Sequence, residues 1–139
     1  MRYWDPSAIV LLLATQAGSD ARADVYKEDR RVVTWWASKI ECTSALCRLR
    51  REQVIDEPGL ARSLAALESF FEAAAEIEAT EEVRTRAIRL LRTHAVRAAD
   101  ALQLAAALVA CRENPGSLPF VCGDQRLKAA AEGEGFTVL

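Results

Sequence analysis

The feature that most constrains the fold is the alternation of short strand-like segments with longer segments of helical periodicity. β-Branched and aromatic residues mark strand candidates at Arg2–Trp4, Val32–Trp35, residues 120–122 and residues 136–138, with a weaker candidate at Ala75–Ile77. Between them, apolar residues recur every three or four positions. Strands that alternate with helices form a parallel sheet covered on both faces. We therefore predict an α/β fold, a three-layer α/β/α sandwich with a central parallel sheet of four to five strands.

Turn and capping residues delimit the predicted helices. Gly18, Ser19 and Asp20 separate the first two helices, and residues 57–59 and 114–117 interrupt the chain further on. The helical segments are residues 6–14, 21–28, 37–52, 60–71, 80–91, 98–111 and 124–132. No internal repeat or linker separates them, so residues 1–139 are predicted to form a single domain.

Composition and charge exclude several classes of protein. The formal net charge of −2 provides no general cationic field for binding nucleic acid. The longest apolar run, residues 8–14, is far shorter than the roughly 20 residues of a membrane-spanning helix, and it lacks the basic leader and cleavage site of a signal peptide. The four cysteines form no CxxC pair and only one His is present, so free thiols in a reducing cytoplasm are predicted rather than a zinc site.

Four acidic residues are candidates for a common site. Asp5 ends the first strand, Asp124 follows the strand at residues 120–122, and Glu41 and Asp100 lie near the starts of helices. In an open parallel sheet, ligands bind beyond the carboxyl ends of the strands, where the following helices also begin. The spacing therefore predicts that these four carboxylates converge at one edge of the sheet.

Each carboxylate also has a purely structural interpretation. Asp5 and Asp124 suit helix N-caps, because a carboxylate there accepts hydrogen bonds from free backbone N–H groups. Glu41 is compatible with a solvated helix face. Asp100 interrupts a long apolar segment, and burying an unpaired carboxylate costs several kcal/mol, so we expect Arg97 or a cation to compensate it.

Convergence of carboxylates would favour a hard divalent cation. Like charges at close range raise one another's pKa values unless positive charge neutralises them. Oxygen ligands with little nitrogen or sulfur suit Mg²⁺ or Mn²⁺. Such an ion polarises phosphoryl oxygens and lowers the pKa of bound water, so phosphodiester hydrolysis is the chemistry that this set of residues favours.

Four motifs in order give the chain a resemblance to a known family. They are residues 3–8 (YWDPSA), 38–46 (SKIECTSAL), 97–105 (RAADALQLA) and 120–124 (FVCGD), followed by Arg126 and Leu127. In this order they resemble the motifs of the PIN-domain family, and specifically of the VapC-like toxins of type II toxin–antitoxin systems. The resemblance spans nearly the whole chain.

The resemblance implies a function and a set of roles. It implies a cytoplasmic, homodimeric, metal-dependent endoribonuclease toxin that hydrolyses RNA and is neutralised by a cognate antitoxin. Asp5, Glu41, Asp100 and Asp124 would bind Mg²⁺ or Mn²⁺ and position the attacking water. Ser7 would hydrogen-bond within the site, and Arg97 would hold its geometry or contact the RNA backbone. Cys122 departs from the family's Thr or Ser, which would alter the positioning of Asp124 or of a water.

Several interpretations remain open at this level. A catalytically degenerate PIN-like module that binds RNA or a protein without cleavage is the alternative function, and Cys122 favours it. Gln103 stands where many family members carry His and is given no role. Trp35 and Trp36 would place one ring on the surface, able to stack on a base or anchor a partner, or both would be buried. Arginines near the Glu41 and Asp100 helices would form either a phosphate-binding rim or a solvated face paired with Glu; they are Arg48, Arg50, Arg51, Arg84, Arg86, Arg89 and Arg92.

Overall fold

A computed structural model describes residues 1–14 and 19–139 of the chain. Its sheet has strands β1 (Arg2–Trp4), β2 (Val32–Trp35), β3 (Ala75–Ile77) and β4 (Phe120–Val121), all parallel, in the order β3-β2-β1-β4. The helices are α1 (Pro6–Leu13), α2 (Ser19–Glu28), α3 (Ser38–Arg51), α4 (Glu57–Ala73), α5 (Glu81–Thr93), α6 (Ala98–Ala110) and α7 (Gln125–Gly133). The prediction of an α/β sandwich with a parallel sheet is confirmed.

Residues of the strands alternate between two apolar layers, because successive side chains of a strand point to opposite faces. Tyr3 and Phe120 face the layer built from α5, α6 and α7, and their rings stack with centroids 5.1 Å apart. Trp4 and Val121 face the other layer, built mainly from α1, α3 and α4. The two buried clusters therefore cover the two faces of the sheet, as the three-layer prediction requires.

Side-chain caps account for where several helices begin. Asp5, Asp56, Thr80 and Asp124 are the N-cap residues of α1, α4, α5 and α7, and each accepts a hydrogen bond from a backbone N–H group of the first turn. These bonds satisfy donors that have no partner inside the helix. Asp5, Thr80 and Asp124 follow β1, β3 and β4 within three residues. The helix starts and the strand ends therefore lie at the same edge of the sheet.

The predicted boundaries and the observed ones differ at the start of α2, at residues 136–138 and at the start of α4, whose first turn contains residues 57–59, which were predicted as an interruption. Ser19 and Asp20 belong to the first turn of α2 rather than to the preceding break, and Gly18, the other residue of that break, lies outside the described residues. The predicted strand at residues 136–138 is reduced to one parallel bridge between Phe120 and Val138. The segment lies beside β4, but Val138 is the residue of it that pairs with the strand.

Two further observations concern the class of protein. Across residues 1–14 and 19–139, we find no helix that combines the length and the apolar character required to span a membrane. Cys42, Cys47, Cys111 and Cys122 are all free thiols, in agreement with the prediction from their spacing.

Candidate active site

The carboxyl edge of the sheet contains a cleft of about 760 Å³ that all four candidate acidic residues line. Asp5 follows β1, Asp124 follows β4, and Glu41 and Asp100 lie in the first turns of α3 and α6. Parallel topology brings these points together although they are far apart in the sequence. The structure thus places the four carboxylates where the spacing of the sequence predicts them.

Asp5 is the most deeply buried of the four, with 5% of its surface exposed. Its Oδ2 accepts hydrogen bonds from the Ser7 backbone N, at 2.9 Å, and from the Ser7 hydroxyl. The pKa of Asp5 is raised to about 7, first because burial disfavours the charged form and then because Glu41 and Asp100 repel it. The bonds from Ser7 lower this pKa without cancelling the rise.

Glu41 projects from the first turn of α3 and is partly buried. Its Oε1 accepts a hydrogen bond from Gln103 Nε2 at 2.9 Å. Burial raises the pKa of Glu41, and the charge of Asp100 adds to the rise. Asp5, Glu41 and Asp100 therefore lie close enough for their charges to interact, which is the crowding that a cation would relieve.

Asp100 is held by the backbone rather than by the Arg97 side chain. Its Oδ2 accepts from the Arg97 backbone N at 3.2 Å, which completes a capping interaction at the start of α6. The Arg97 guanidinium makes no ion pair with any acidic group of the described part of the chain. Asp100 is half-buried at the cleft, so solvent supplies part of the compensation that we expected from Arg97.

Asp124 is the N-cap of α7 and is exposed to solvent. Its Oδ1 accepts from the backbone N atoms of Arg126 and Leu127, at 2.8 and 2.9 Å. Cys122 lies under this turn: Asp124 N donates to its Sγ and the thiol donates to Asp124 O, both at 3.3 Å. The thiol thus makes the local contacts of a hydroxyl, over the longer distances that sulfur imposes.

Burial also affects the Cys122 thiol. Its pKa is raised to about 12, because burial and the charge of Asp5 both disfavour the thiolate. Cys122 is therefore a neutral thiol over the whole physiological range, and its contribution to the site is that of a weak hydrogen-bond donor and acceptor.

Ser7 connects two walls of the cleft. Its hydroxyl donates to Asp5 and accepts from the Gly123 backbone N at 2.8 Å, and its Oγ lies 3.8 Å from Cys122 Sγ. The start of α1 is therefore tied to the loop that follows β4. This loop also receives Arg22 of α2, whose Nη2 donates to Cys122 O at 2.8 Å.

The chemistry of the donors fits a hydrated Mg²⁺ or Mn²⁺ ion. Within residues 1–14 and 19–139, no three His, Cys, Asp or Glu side chains stand in an arrangement ready to enclose a metal ion. Mg²⁺ does not require such an arrangement, since it keeps several waters and takes one or two protein carboxylates. The oxygen donors and the raised pKa values of Asp5 and Glu41 are the observations that fit this ion.

Sequence reasoning missed two polar residues of the site, Gln103 and Arg22. Gln103 is 1% exposed and bonds directly to Glu41. A lone amide inside the apolar stretch of α6 was the signal that could have identified it. Arg22 carried no such signal, because its contact with the loop after β4 depends entirely on how α2 packs.

Five of the seven arginines near the Glu41 and Asp100 helices lie either in surface ion pairs or at the cleft. Four of those considered above pair with Glu on the surface, which confirms the solvated-face interpretation for them: Arg50, Arg84, Arg86 and Arg89. Only Arg48 of that set lines the cleft, together with Arg97, and both are exposed. The predicted phosphate-binding rim is thus reduced to two cations at the cleft.

The two tryptophans behave as strand alternation predicts. Trp35 is buried, with 7% of its surface exposed, and Trp36 is 56% exposed. Trp36 directly follows β2, at the carboxyl edge of the sheet. Stacking of a base on its ring stays a prediction.

Comparison with known proteins gives the affiliation of the chain. No family model matches it. Over 136 residues the chain is 33% identical to Ribonuclease VapC45 of Mycobacterium tuberculosis strain CDC 1551 / Oshkosh, and equally to Ribonuclease VapC49 of strain ATCC 25618 / H37Rv. The match covers 98% of this chain and 92% of each relative. Similarity along nearly the full length of both proteins, with a parallel α/β sandwich and an acidic cleft, means that the chain belongs to the VapC-like branch of the PIN-domain family.

Proposed function

We propose that this protein is a metal-dependent endoribonuclease toxin that hydrolyses phosphodiester bonds of RNA. The observation that carries the proposal is the convergence of Asp5, Glu41, Asp100 and Asp124 on one cleft. The names of the two relatives, both ribonucleases, support RNA as the substrate class. Helix capping explains why single carboxylates stand at these positions, but their mutual repulsion disfavours the folded chain, and a bound cation would offset that cost.

In the proposed mechanism, carboxylates from the set Asp5, Glu41, Asp100 and Asp124 would hold a hydrated Mg²⁺ or Mn²⁺ ion. When bound, the ion would polarise the scissile phosphate and lower the pKa of a water. Ser7 keeps Asp5 oriented through two hydrogen bonds, and the backbone N–H groups of α7 do the same for Asp124. Preorganised side chains of this kind limit the reorganisation needed during reaction.

Arg48 and Arg97 would receive the RNA backbone. Both line the acidic cleft, and neither pairs with an acidic residue in the described ranges. Their charges would offset the repulsion between carboxylates and phosphates during approach. Binding that depends on such contacts weakens as the salt concentration rises.

Membership of the family supports further proposals about partners. We propose a cognate antitoxin that neutralises the protein, a homodimeric state, a cytoplasmic location and a single domain over residues 1–139. The free, mostly buried thiols agree with a reducing compartment.

The test is cleavage of RNA in the presence of Mn²⁺ or Mg²⁺ by the wild type, Asp5→Asn and Asp100→Asn. Asp56→Asn is the matched control, since Asp56 is an N-cap like Asp5 but caps α4, away from the cleft. We expect both site variants to lose at least 100-fold in kcat/KM, while the control retains the activity of the wild type. Equal cleavage by all four proteins would reject the proposal.

The alternative is a degenerate module that binds RNA or a protein without cutting. Cys122 is the observation that favours it, because a thiol orients Asp124 or a water less firmly than a hydroxyl does. Titration with Mn²⁺ separates the two functions. A degenerate site would show no carboxylate-dependent Mn²⁺ binding and yet retain affinity for RNA.

A further inference from the structure

A buried polar network lies directly behind Glu41. Gln103 Nε2 donates to Glu41 Oε1 and to Ser38 Oγ, each at 2.9 Å. Gln103 Oε1 accepts from Tyr3 OH at 2.8 Å and from the Ser38 hydroxyl at 3.2 Å. Tyr3 and Ser38 are fully buried, and Gln103 is 1% exposed. The network thus joins β1, α3 and α6 beneath the cleft.

The network determines which way the Gln103 amide points. An ionised carboxylate only accepts hydrogen bonds, so the atom facing Glu41 must be the amide nitrogen. The Tyr3 hydroxyl on the opposite side donates to the amide oxygen. A flipped amide would set its oxygen against Glu41, which is unfavourable. The donor that Gln103 offers to Glu41 is therefore held in one orientation.

Glu41 differs from the other three carboxylates in how it is held. Asp5, Asp100 and Asp124 each accept from backbone N–H groups at the start of their own helix. Within the described chain, the hydrogen bond to Glu41 comes from a side chain of another helix, α6. The position of Glu41 in the cleft consequently depends on a contact that a single substitution can remove.

We propose that Gln103 is a positioning residue that directs the Glu41 carboxylate toward a divalent cation in the cleft. This inference rests on the proposed function, since it assigns Gln103 a task within the same site. Residues that orient metal ligands from behind typically change metal affinity or activity by about 10- to 100-fold when they are replaced. Gln103 has the burial, the fixed donor and the direct contact with Glu41 that such a role requires.

The main test compares Gln103→Leu with Ser63→Ala. Leu keeps most of the volume of Gln but donates no hydrogen bond. Ser63 is the control, because its buried hydroxyl bonds to Leu13 O, at 3.2 Å, outside the cleft. We expect Gln103→Leu to raise the Kd for Mn²⁺, measured calorimetrically, by about tenfold or more, and Ser63→Ala to lower stability while leaving that Kd unchanged.

A double-mutant cycle distinguishes positioning from general stabilisation. If Gln103 acts through Glu41, Gln103→Leu should cause no further loss of Mn²⁺ affinity in a Glu41→Gln background. A merely structural residue would weaken binding by the same factor in both backgrounds. Should circular dichroism show that Gln103→Leu is unfolded, Gln103→Met, which is unbranched like Gln, takes its place in every comparison.

The outcomes separate this inference from the proposed function. If the wild type binds Mn²⁺ but does not cleave RNA, the proposed nuclease function is rejected. The Mn²⁺ affinities of the wild type and Gln103→Leu then still decide whether Gln103 positions Glu41. Cleavage by the wild type with an unchanged Kd in Gln103→Leu would overturn the role of Gln103 alone. A wild type that binds no Mn²⁺ would overturn the role as well, because Glu41 would then have no cation to meet.

Discussion

Two acidic residues of the cleft, Asp5 and Asp124, have both a structural role and a place in the candidate site. Asp5 and Asp124 cap helices, as their structural interpretation predicts, and they also line the cleft. The two interpretations are therefore compatible. A cap places a carboxylate at the start of a helix, and in a parallel α/β fold the helix starts lie at the edge where ligands bind.

Replacing Asp5 should stabilise the metal-free protein in a pH-dependent manner. The pKa of Asp5 is about 7 in the folded chain against 3.8 as the ordinary value, so the folded state binds more protons than the unfolded state between these limits. Stability should fall as the pH rises from about 4 to 7 and then stay level. Asp5→Asn removes this loss, up to about 4 kcal/mol, while an Asn can still cap α1.

Chemical unfolding with a chelator present, at pH 5 and pH 8, checks this prediction. The stabilisation by Asp5→Asn should be clearly larger at pH 8. Asp56→Asn serves again as the control for replacing a capping aspartate. If the stability difference between the wild type and Asp5→Asn is the same at both pH values, the pKa of Asp5 is not raised by burial in the folded chain.

At the scale of elements, α5 and the end of α7 are connected by a cluster around Glu134. Its carboxylate accepts from Arg89 Nη1 and Nη2, at 3.1 and 2.6 Å, and lies 2.7 Å from His94 Nε2. The hydrogen bonds from Arg89 are the main reason why the pKa of Glu134 is lowered. A two-pronged arginine contact has a more defined geometry than a single surface ion pair.

Glu134→Gln should lower the stability of the protein at pH 7 by about 1 kcal/mol, because half-exposed Arg89 limits the strength of the pair. The lowered pKa means that this contribution is present above the ordinary value of 4.5 and disappears as the pH falls. Thermal unfolding measures it. Glu132→Gln, whose carboxylate is 3.8 Å from Lys128 Nζ, is the control. Equal stability of the two variants at pH 7 would refute a special role for Glu134.

At the scale of the whole molecule, binding of a cation should stabilise the fold. An ion that binds only the folded chain contributes about 2.7 kcal/mol at 100 times its Kd. We therefore expect Mn²⁺ or Mg²⁺ to raise the melting temperature of the wild type by several degrees and to have little effect on Asp100→Asn. A melting curve that saturating metal does not move would count directly against the metal site.

Much of the architecture followed from the sequence because its signals are local. β-Branched and aromatic residues indicated the strands, helical periodicity indicated the helices, and Asp5 and Asp124 marked both a cap and a strand end. The segment at residues 136–138 had the composition of a strand but pairs only through Val138. Pairing depends on register with β4, which composition does not contain.

The sequence by itself determined the layered α/β fold, the edge at which the carboxylates lie and the family of the chain. The tertiary structure decided which groups hold each carboxylate in place. The backbone N–H of Arg97, and not its guanidinium, contacts Asp100, and Gln103 donates to Glu41 across 62 positions of the chain. Such contacts depend on the angle and distance at which α3 and α6 pack, and no local pattern of residues encodes those quantities.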